Sequence, residues 1–349
     1  MAEASEPTKP SDTAQPGDAA TLSDTTKPGD AAQPSDTATA GKPWHDALWL
    51  RLGGFGLAGF IALAGLPLVL PGEGGSFAAP PFIALGPGCL AGLLILARER
   101  VWPALLVGAG LGGAVRALLM VDDPLTEGIN TGLGVLAALL VVYAVKRVAG
   151  DKAPFGTLAR AHAFLFASLS GASLGVVPAL FALAFGSGPL IEPMATLFAT
   201  WGPWFAAHAL GLLIVGAGLA GLASTGVTGW RLGLLPGRLE LMGMIVFGAL
   251  LWLLLAGLSG VDLAGKIIAA APLLLWLTIR ASISAGLAVL LAGLVALLHT
   301  ASPAETIGNR DALQLAFGSL AASILLCGAG MREFLTRLRA KHDIRLFYG

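Results

Sequence analysis

Three ring-bearing side chains fall on one face of an apolar run. The run is WGPWFAAHALGLLIVGAGLAGL (201–222), and the side chains are Trp201, Trp204 and His208. At about 100° per residue they share a helical stripe with Gly211 and Leu212. A polar group without a partner costs several kcal/mol in hydrocarbon. An imidazole there therefore has two readings. It is a neutral histidine hydrogen-bonded to a neighbouring helix, or it is a ligand- or proton-sensing site in a bundle cavity. A proton relay needs a chain of ionisable groups. No second one stands near the same depth in the sequence, which argues against a pump.

Two further polar positions fall within apolar runs. Arg116 stands about five residues from the end of the run 103–121. At about 1.5 Å per residue it either snorkels to the interface or finds a buried partner. Asn130 and Thr131 open the next run near the same face and are candidate partners. The candidate intramembrane site is therefore His208, Trp201, Trp204, Arg116 and Asn130. No spacing resembles catalysis: HExxH, a P-loop, GxSxG and paired intramembrane carboxylates are all missing. Cys89 and Cys327 lie in apolar runs and read as small core hydrophobes, with no metal spacing and no disulfide framework. The sequence thus implies no enzyme, no catalytic residue, no cofactor and no metal.

The elements that position these residues follow from composition. Of 349 residues, 56% are hydrophobic and 12% charged, with a net charge of zero. Mean hydropathy is +0.80. Soluble domains carry about a quarter charged residues, so the chain belongs to the membrane class. Zero net charge argues against a nucleic-acid partner. Residues 1–43 differ: a six-residue unit repeats as KPSDTA, QPGDAA, TLSDTT, KPGDAA and QPSDTA. Such composition cannot bury enough surface to offset ordering entropy. It predicts a disordered tether, or a docking site for a soluble partner.

Beyond the tail the fold class is an all-α, polytopic transmembrane helical bundle of about 10 spans (8–10). The apolar segments run near 49–70, 81–97, 103–121, 128–148, 160–185, 196–222, 239–258, 263–280, 282–299 and 312–331. The eighth is the least secure, because it is short and carries Lys266 and Pro272. With the N-terminus in the cytoplasm, 18 of the 21 basic residues fall on the cytoplasmic side. That is the asymmetry of the positive-inside rule, and it predicts both termini in the cytoplasm. Small residues recur at four-residue spacing, as in Gly108/Gly112 and Gly171/Gly175, which lets helix backbones approach closely.

Several stretches taken in order resemble a known family. They are APPFIALGPGCLAGLLILARERVWPALLVGAGLGG (79–113), EGINTGLGVLAALLVVYAVKRV (127–148), WGPWFAAHALGLLIVGAGL (201–219) and APLLLWLTIRASISAGLAVLLAGLVALL (271–298). The order and character resemble the MASE family, class one, the bacterial membrane-associated sensor domains, over about residues 45–335. The resemblance implies a sensory input domain in the bacterial inner membrane. Relatives sit ahead of histidine kinases, diguanylate cyclases or phosphodiesterases. The sequence departs from that pattern at three places. The family tends to have Asp after the paired aromatics, where His208 stands. It tends to have Glu a few residues after the Asn of span four, near Gly134. In place of an output domain, the sequence ends MREFLTRLRAKHDIRLFYG (331–349).

The expected organisation is a repeat tail (1–43), a transmembrane sensor-like domain (44–331) and a basic C-terminal cytoplasmic helix (332–349). In that helix Arg332, Arg337 and Arg339 either anchor the end to the lipid surface or couple a signal to a partner. The expected partners are the lipid bilayer and a cytoplasmic histidine kinase or cyclic-di-nucleotide enzyme acting in trans, with a homo-oligomer as a further candidate. The alternative function is a small-molecule transporter or a membrane subunit of one.

Overall fold

The computed structural model describes residues 44–64, 81–120, 124–150, 154–174, 193–225, 262–300 and 308–348, with isolated positions between 177 and 250. The expected tail (1–43) and nearly all of the seventh expected span (239–258) lie outside the described residues. The chain divides into two units, Met1–Trp44 and His45–Gly349, and the helical body is the second.

Among the described residues all regular structure is helical. The elements are α1 (Trp44–Ala64), α2 (Leu85–Leu96), a 3-10 turn (Glu99–Val101), α3 (Trp102–Met120), α4 (Pro124–Ala149) and α5 (Leu158–Ser173). They continue with α6 (Pro193–Leu210), a π-helical turn (Gly211–Gly216), α7 (Ala217–Thr225), α8 (Leu263–Ala269) and α9 (Ala271–Arg280). The last two are α10 (Ile283–Thr300) and α11 (Arg310–Tyr348).

Local chemistry sets several of the boundaries. Thr157 accepts a hydrogen bond from the Arg160 amide and caps α5. Asp262 accepts from the Gly265 amide at the start of α8, 2.9 Å. Ser282 accepts from the Ala285 amide before α10, 3.0 Å. Each side chain satisfies an amide that a helix start leaves without an intrahelical partner. Gly150 ends α4 with φ +57, a left-handed turn in which a Cβ is strained. Pro272 stands at the first turn of α9 and follows the break at Ala270.

Among the described residues five stretches are long and apolar enough to cross a membrane: Glu99–Leu118, Thr131–Ala149, Trp201–Leu222, Leu263–Arg280 and Arg310–Leu338. Shorter apolar helices cover Arg51–Ile61, Leu85–Leu96 and Ile283–His299. The outward surface matches a lipid solvent. Leu118 is 77% exposed, Leu315 74% and Phe166 65%, where a water-soluble protein would put polar groups.

Two expected spans take a different form. The sixth (196–222) is not one α-helix but α6, the π-turn and α7 in succession. The helix that carries the tenth (312–331) does not stop at residue 331. It continues unbroken as α11 through 39 residues. At about 1.5 Å per residue that is roughly 58 Å, against about 30 Å of hydrocarbon.

The Trp201–Leu222 stretch is the centre of the bundle, with 72% of it buried. The π-turn and α7 lie along α2, while α5, α10 and α11 pack around them. Helix α3 packs on α4 and crosses α1 at glycines. A Cβ at Gly108 would fall 1.8 Å from the Gly56 carbonyl oxygen. Gly171, the other small residue named above, faces the Ala137 backbone. The fully buried side chains Phe82, Phe155, Phe164, Leu90 and Ile283 fill the spaces between helices. Phe155 and Phe164 meet edge to face at 5.2 Å.

Polar contacts tie helix ends together. Lys146 Nζ of α4 pairs with Glu99 at 3.0 Å and lies 4.3 Å from the Trp102 ring centroid. The Trp102 indole N–H donates to the Leu94 carbonyl at the end of α2, 2.9 Å. The Leu158 amide, at the start of α5, donates to Glu333 Oε2 of α11, 2.8 Å.

Candidate functional site

His208 is buried near the end of α6, 7% exposed. Its Nδ1 lies 2.9 Å from the Trp204 carbonyl oxygen, one turn back on the same helix. A carbonyl only accepts, so Nδ1 carries the proton and donates. In the neutral ring Nε2 is then the acceptor. This bond lies within the histidine's own helix, whereas the sequence reading looked to a neighbouring one. Within one helix a side chain reaches the carbonyl four residues back without any tertiary arrangement.

The aromatic stripe is real but is divided into two pairs. Trp204 and His208 have ring centroids 5.9 Å apart, inclined at 33°. Trp201 pairs with Phe205 at 5.3 Å. Trp204 is buried and Trp201 half-buried. Pro203 sits inside α6. It withdraws one amide from the helix ladder.

Immediately after His208 the backbone leaves α geometry. The Ala217 amide donates back to the Leu212 carbonyl, five residues earlier. A π-turn widens the helix and has poorer hydrogen bonds than α, so tertiary contacts must compensate. The contacts come from Pro81–Ala84, which precedes α2. The Ala84 amide donates to the Ala207 carbonyl, 2.9 Å. A Cβ at Gly211 would fall 1.9 Å from the Ala84 carbonyl oxygen, and one at Gly88 2.0 Å from the Gly211 carbonyl oxygen. Two backbones touch here because neither residue has a side chain.

The same segment is held from its other side by α11. Arg310 Nη2 donates to the Pro81 carbonyl, 3.1 Å, and Gln314 Nε2 to the Phe82 carbonyl, 2.9 Å. Phe82, Ile83 and Ala84 are buried outside regular helix. Such backbone is tolerated inside a membrane bundle only when protein groups satisfy it. Arg310, Gln314 and Ala207 satisfy three backbone groups of this segment, the Pro81 and Phe82 carbonyls and the Ala84 amide, each worth about 1 kcal/mol net and more to the arginine. Gln314 is 3% exposed, and its Oε1 has no hydrogen-bond partner among the described residues.

Sequence reading did not single out this dock. Gln314 is one amide in an apolar run, which was the available signal. Arg310 reads as a loop charge, and nothing in PPFIA announces an extended plug.

The other expected site residues lie elsewhere. Arg116 is half-buried on α3, whose main contacts are with α1, α2 and α4; those of α6 are with α2, α5 and α11. Gly113, one turn before it, abuts Thr131, so the α3–α4 proximity that was expected does occur. The side chain of Asn130 lies outside the described residues. Gly134 faces Pro87, 3.0 Å from where its Cβ would be, so a glutamate there would have to displace α2.

On α11, Arg332 is half-buried, while Arg337 is exposed and pairs with Glu333 one turn back. The side chain of Arg339 lies outside the described residues. Cys89 is half-buried and Cys327 exposed, and neither forms a disulfide. Among the described residues no three His, Cys, Asp or Glu side chains come together. No protein family, curated protein or solved structure matches the chain.

Proposed function

We propose that the protein is a sensory input module of the bacterial inner membrane, of about ten spans with both ends in the cytoplasm. In this reading it perceives a ligand or a membrane state around His208 and the dock of Pro81–Ala84. It passes the change to a cytoplasmic histidine kinase or cyclic-di-nucleotide enzyme in trans. The observation that carries the reading is the continuity of α11. One rigid helix holds Phe82 through Gln314 at one end and the α5 start through Glu333 further along. It then extends to Tyr348. A change in how the plug is held has a stiff route to the basic C-terminal turns.

The pattern of joined helix ends supports the proposed sidedness. The positive-inside reading puts Pro81 and Arg310 on one side, and these meet. It puts Glu99, Lys146, Leu158 and Glu333 on the other, and these meet as two pairs. The buried atom without a partner among the described residues, Gln314 Oε1, is an acceptor. A ligand suited to it carries a hydrogen-bond donor.

A second reading is favoured by a specific feature. Interrupted helices and extended backbone buried in a bundle are also how transporters build substrate sites. The plug, the π-turn and the break at Ala270 are of that kind.

The test compares cells expressing the full chain, the His208→Ala chain and a chain lacking 332–349. Cyclic-di-nucleotide level and kinase phosphorylation are measured in each. Signalling predicts a change in output on deletion while the bundle stays folded. Unchanged output, with solute flux into vesicles containing the purified protein alone, would replace the sensor by the transporter.

A further inference from the structure

We infer that the π-turn Gly211–Gly216 is a two-position joint, kept in its π form by the plug Pro81–Ala84. The inference concerns the mechanics of the bundle and stands whether the protein signals or transports.

Three observations combine. First, the π-turn lies in the middle of the most buried helical stretch, where an irregular backbone is least expected without support. Second, its closest backbone contacts are local and come from the plug and the first turn of α2 that follows it. Ala84 bonds to Ala207, the Ala84 carbonyl meets Gly211, and Gly88 meets the Gly211 carbonyl. Further along α2, Gly92 faces Leu219, so α2 follows the widened helix through the turn. Third, the plug is held against the joint by two side chains of a different helix, Arg310 and Gln314. Releasing those two bonds frees the plug without breaking α6 or α7.

With the plug withdrawn, the π-turn loses its compensation and the α form is favoured. A π-turn holds one residue more than the α-helix it replaces. Annealing it turns α6 against α7 by roughly 100° and shifts it by about 1.5 Å. That rotation carries Trp204 and His208 off the face they now occupy. A side chain about 5.5 Å from the helix axis would move by about 8 Å.

The experiment uses the full chain in bilayer nanodiscs, in a Cys89→Ser, Cys327→Ser background. Spin labels are placed in pairs and their separations measured by double electron–electron resonance. Two pairs report α6 against its neighbours: Ala206 with Leu315 of α11, and Ala206 with Phe166 of α5. A third pair, Leu222 with Leu315, reports α7 against α11. The perturbations are Gln314→Leu, which removes the donor to Phe82, and Arg310→Ala at the more exposed end of the plug. The expected result is a shift of several ångströms, up to about 8 Å, in both Ala206 pairs, with Leu222–Leu315 unchanged.

Deleting Val215 takes out the extra residue and should make the Ala206 pairs insensitive to both substitutions. If Gln314→Leu does not fold, Gln314→Met keeps the length and volume of the side chain. Gly211→Ala displaces the plug from the joint side and is read with the same three pairs. Folded variants with wild-type Ala206 separations would overturn the joint. So would equal shifts in all three pairs, which would mean that the whole stretch tilts as one body.

Discussion

Replacing Gly211 by alanine puts a methyl group 1.9 Å from the Ala84 carbonyl oxygen. A carbon and an oxygen in van der Waals contact stand about 3.3 Å apart, so the plug and the π-turn must separate by roughly 1.4 Å, on the scale of close-packed interiors. The Ala84–Ala207 hydrogen bond, now 2.9 Å, does not survive that separation. Its loss costs about 1 kcal/mol, and overpacking adds about 1–3 kcal/mol. Alanine returns up to about 1 kcal/mol through helix propensity. The net is a destabilisation of about 1–4 kcal/mol, or roughly 5- to 850-fold in the folded-to-unfolded ratio. Gly110 is the internal control, because a Cβ there meets nothing within 4 Å. Gly110→Ala should be neutral or slightly stabilising. Reversible unfolding in mixed micelles, followed by far-ultraviolet circular dichroism, measures both. Equal stabilities for the two variants, within about 0.5 kcal/mol, would refute the close-approach reasoning.

Three other outcomes follow from the contacts. His208→Ala removes the ring against Trp204 and leaves a void, and should cost about 2–3 kcal/mol in the same unfolding assay. Glu333→Ala removes the acceptor for the Leu158 amide and should lower stability in the same assay. It should also speed hydrogen exchange at Leu158, whereas Glu333→Gln, which keeps an acceptor, should not. Lys146 and Glu99 form an exposed pair beside Trp102, so a double-mutant cycle on the two charges should give no more than about 1 kcal/mol, falling with added salt.

The helices were legible because apolar runs of about twenty residues have few other uses. Their boundaries at Thr157, Asp262 and Gly150 come from local caps and turns, which the apolar runs do not register. The His208 face could also be read, since 3.6-residue periodicity places Trp204 and His208 together whatever surrounds them. What stayed hidden was whatever depends on a second helix. The π-turn in GLLIVG has no composition of its own; it exists because Ala84 and Gly88 press against it. Gln314 and Pro81–Phe82 are more than two hundred residues apart, and no local pattern joins them. The run of α11 past residue 331 has a simpler basis. A change from apolar to charged residues marks where lipid stops, and α11 remains a good helix on both sides of it.

In the proposed sensory reading α11 carries a change from the bundle to a cytoplasmic partner. The most direct measurement is affinity purification of the full chain from native membranes through a tag on the N-terminus, with bound proteins identified by mass spectrometry. A parallel purification uses the chain lacking 332–349. The account predicts a histidine kinase or a cyclic-di-nucleotide enzyme in fixed ratio to the full chain, and its loss from the shortened one. Recovery of transport subunits instead, retained equally by both chains, would contradict it.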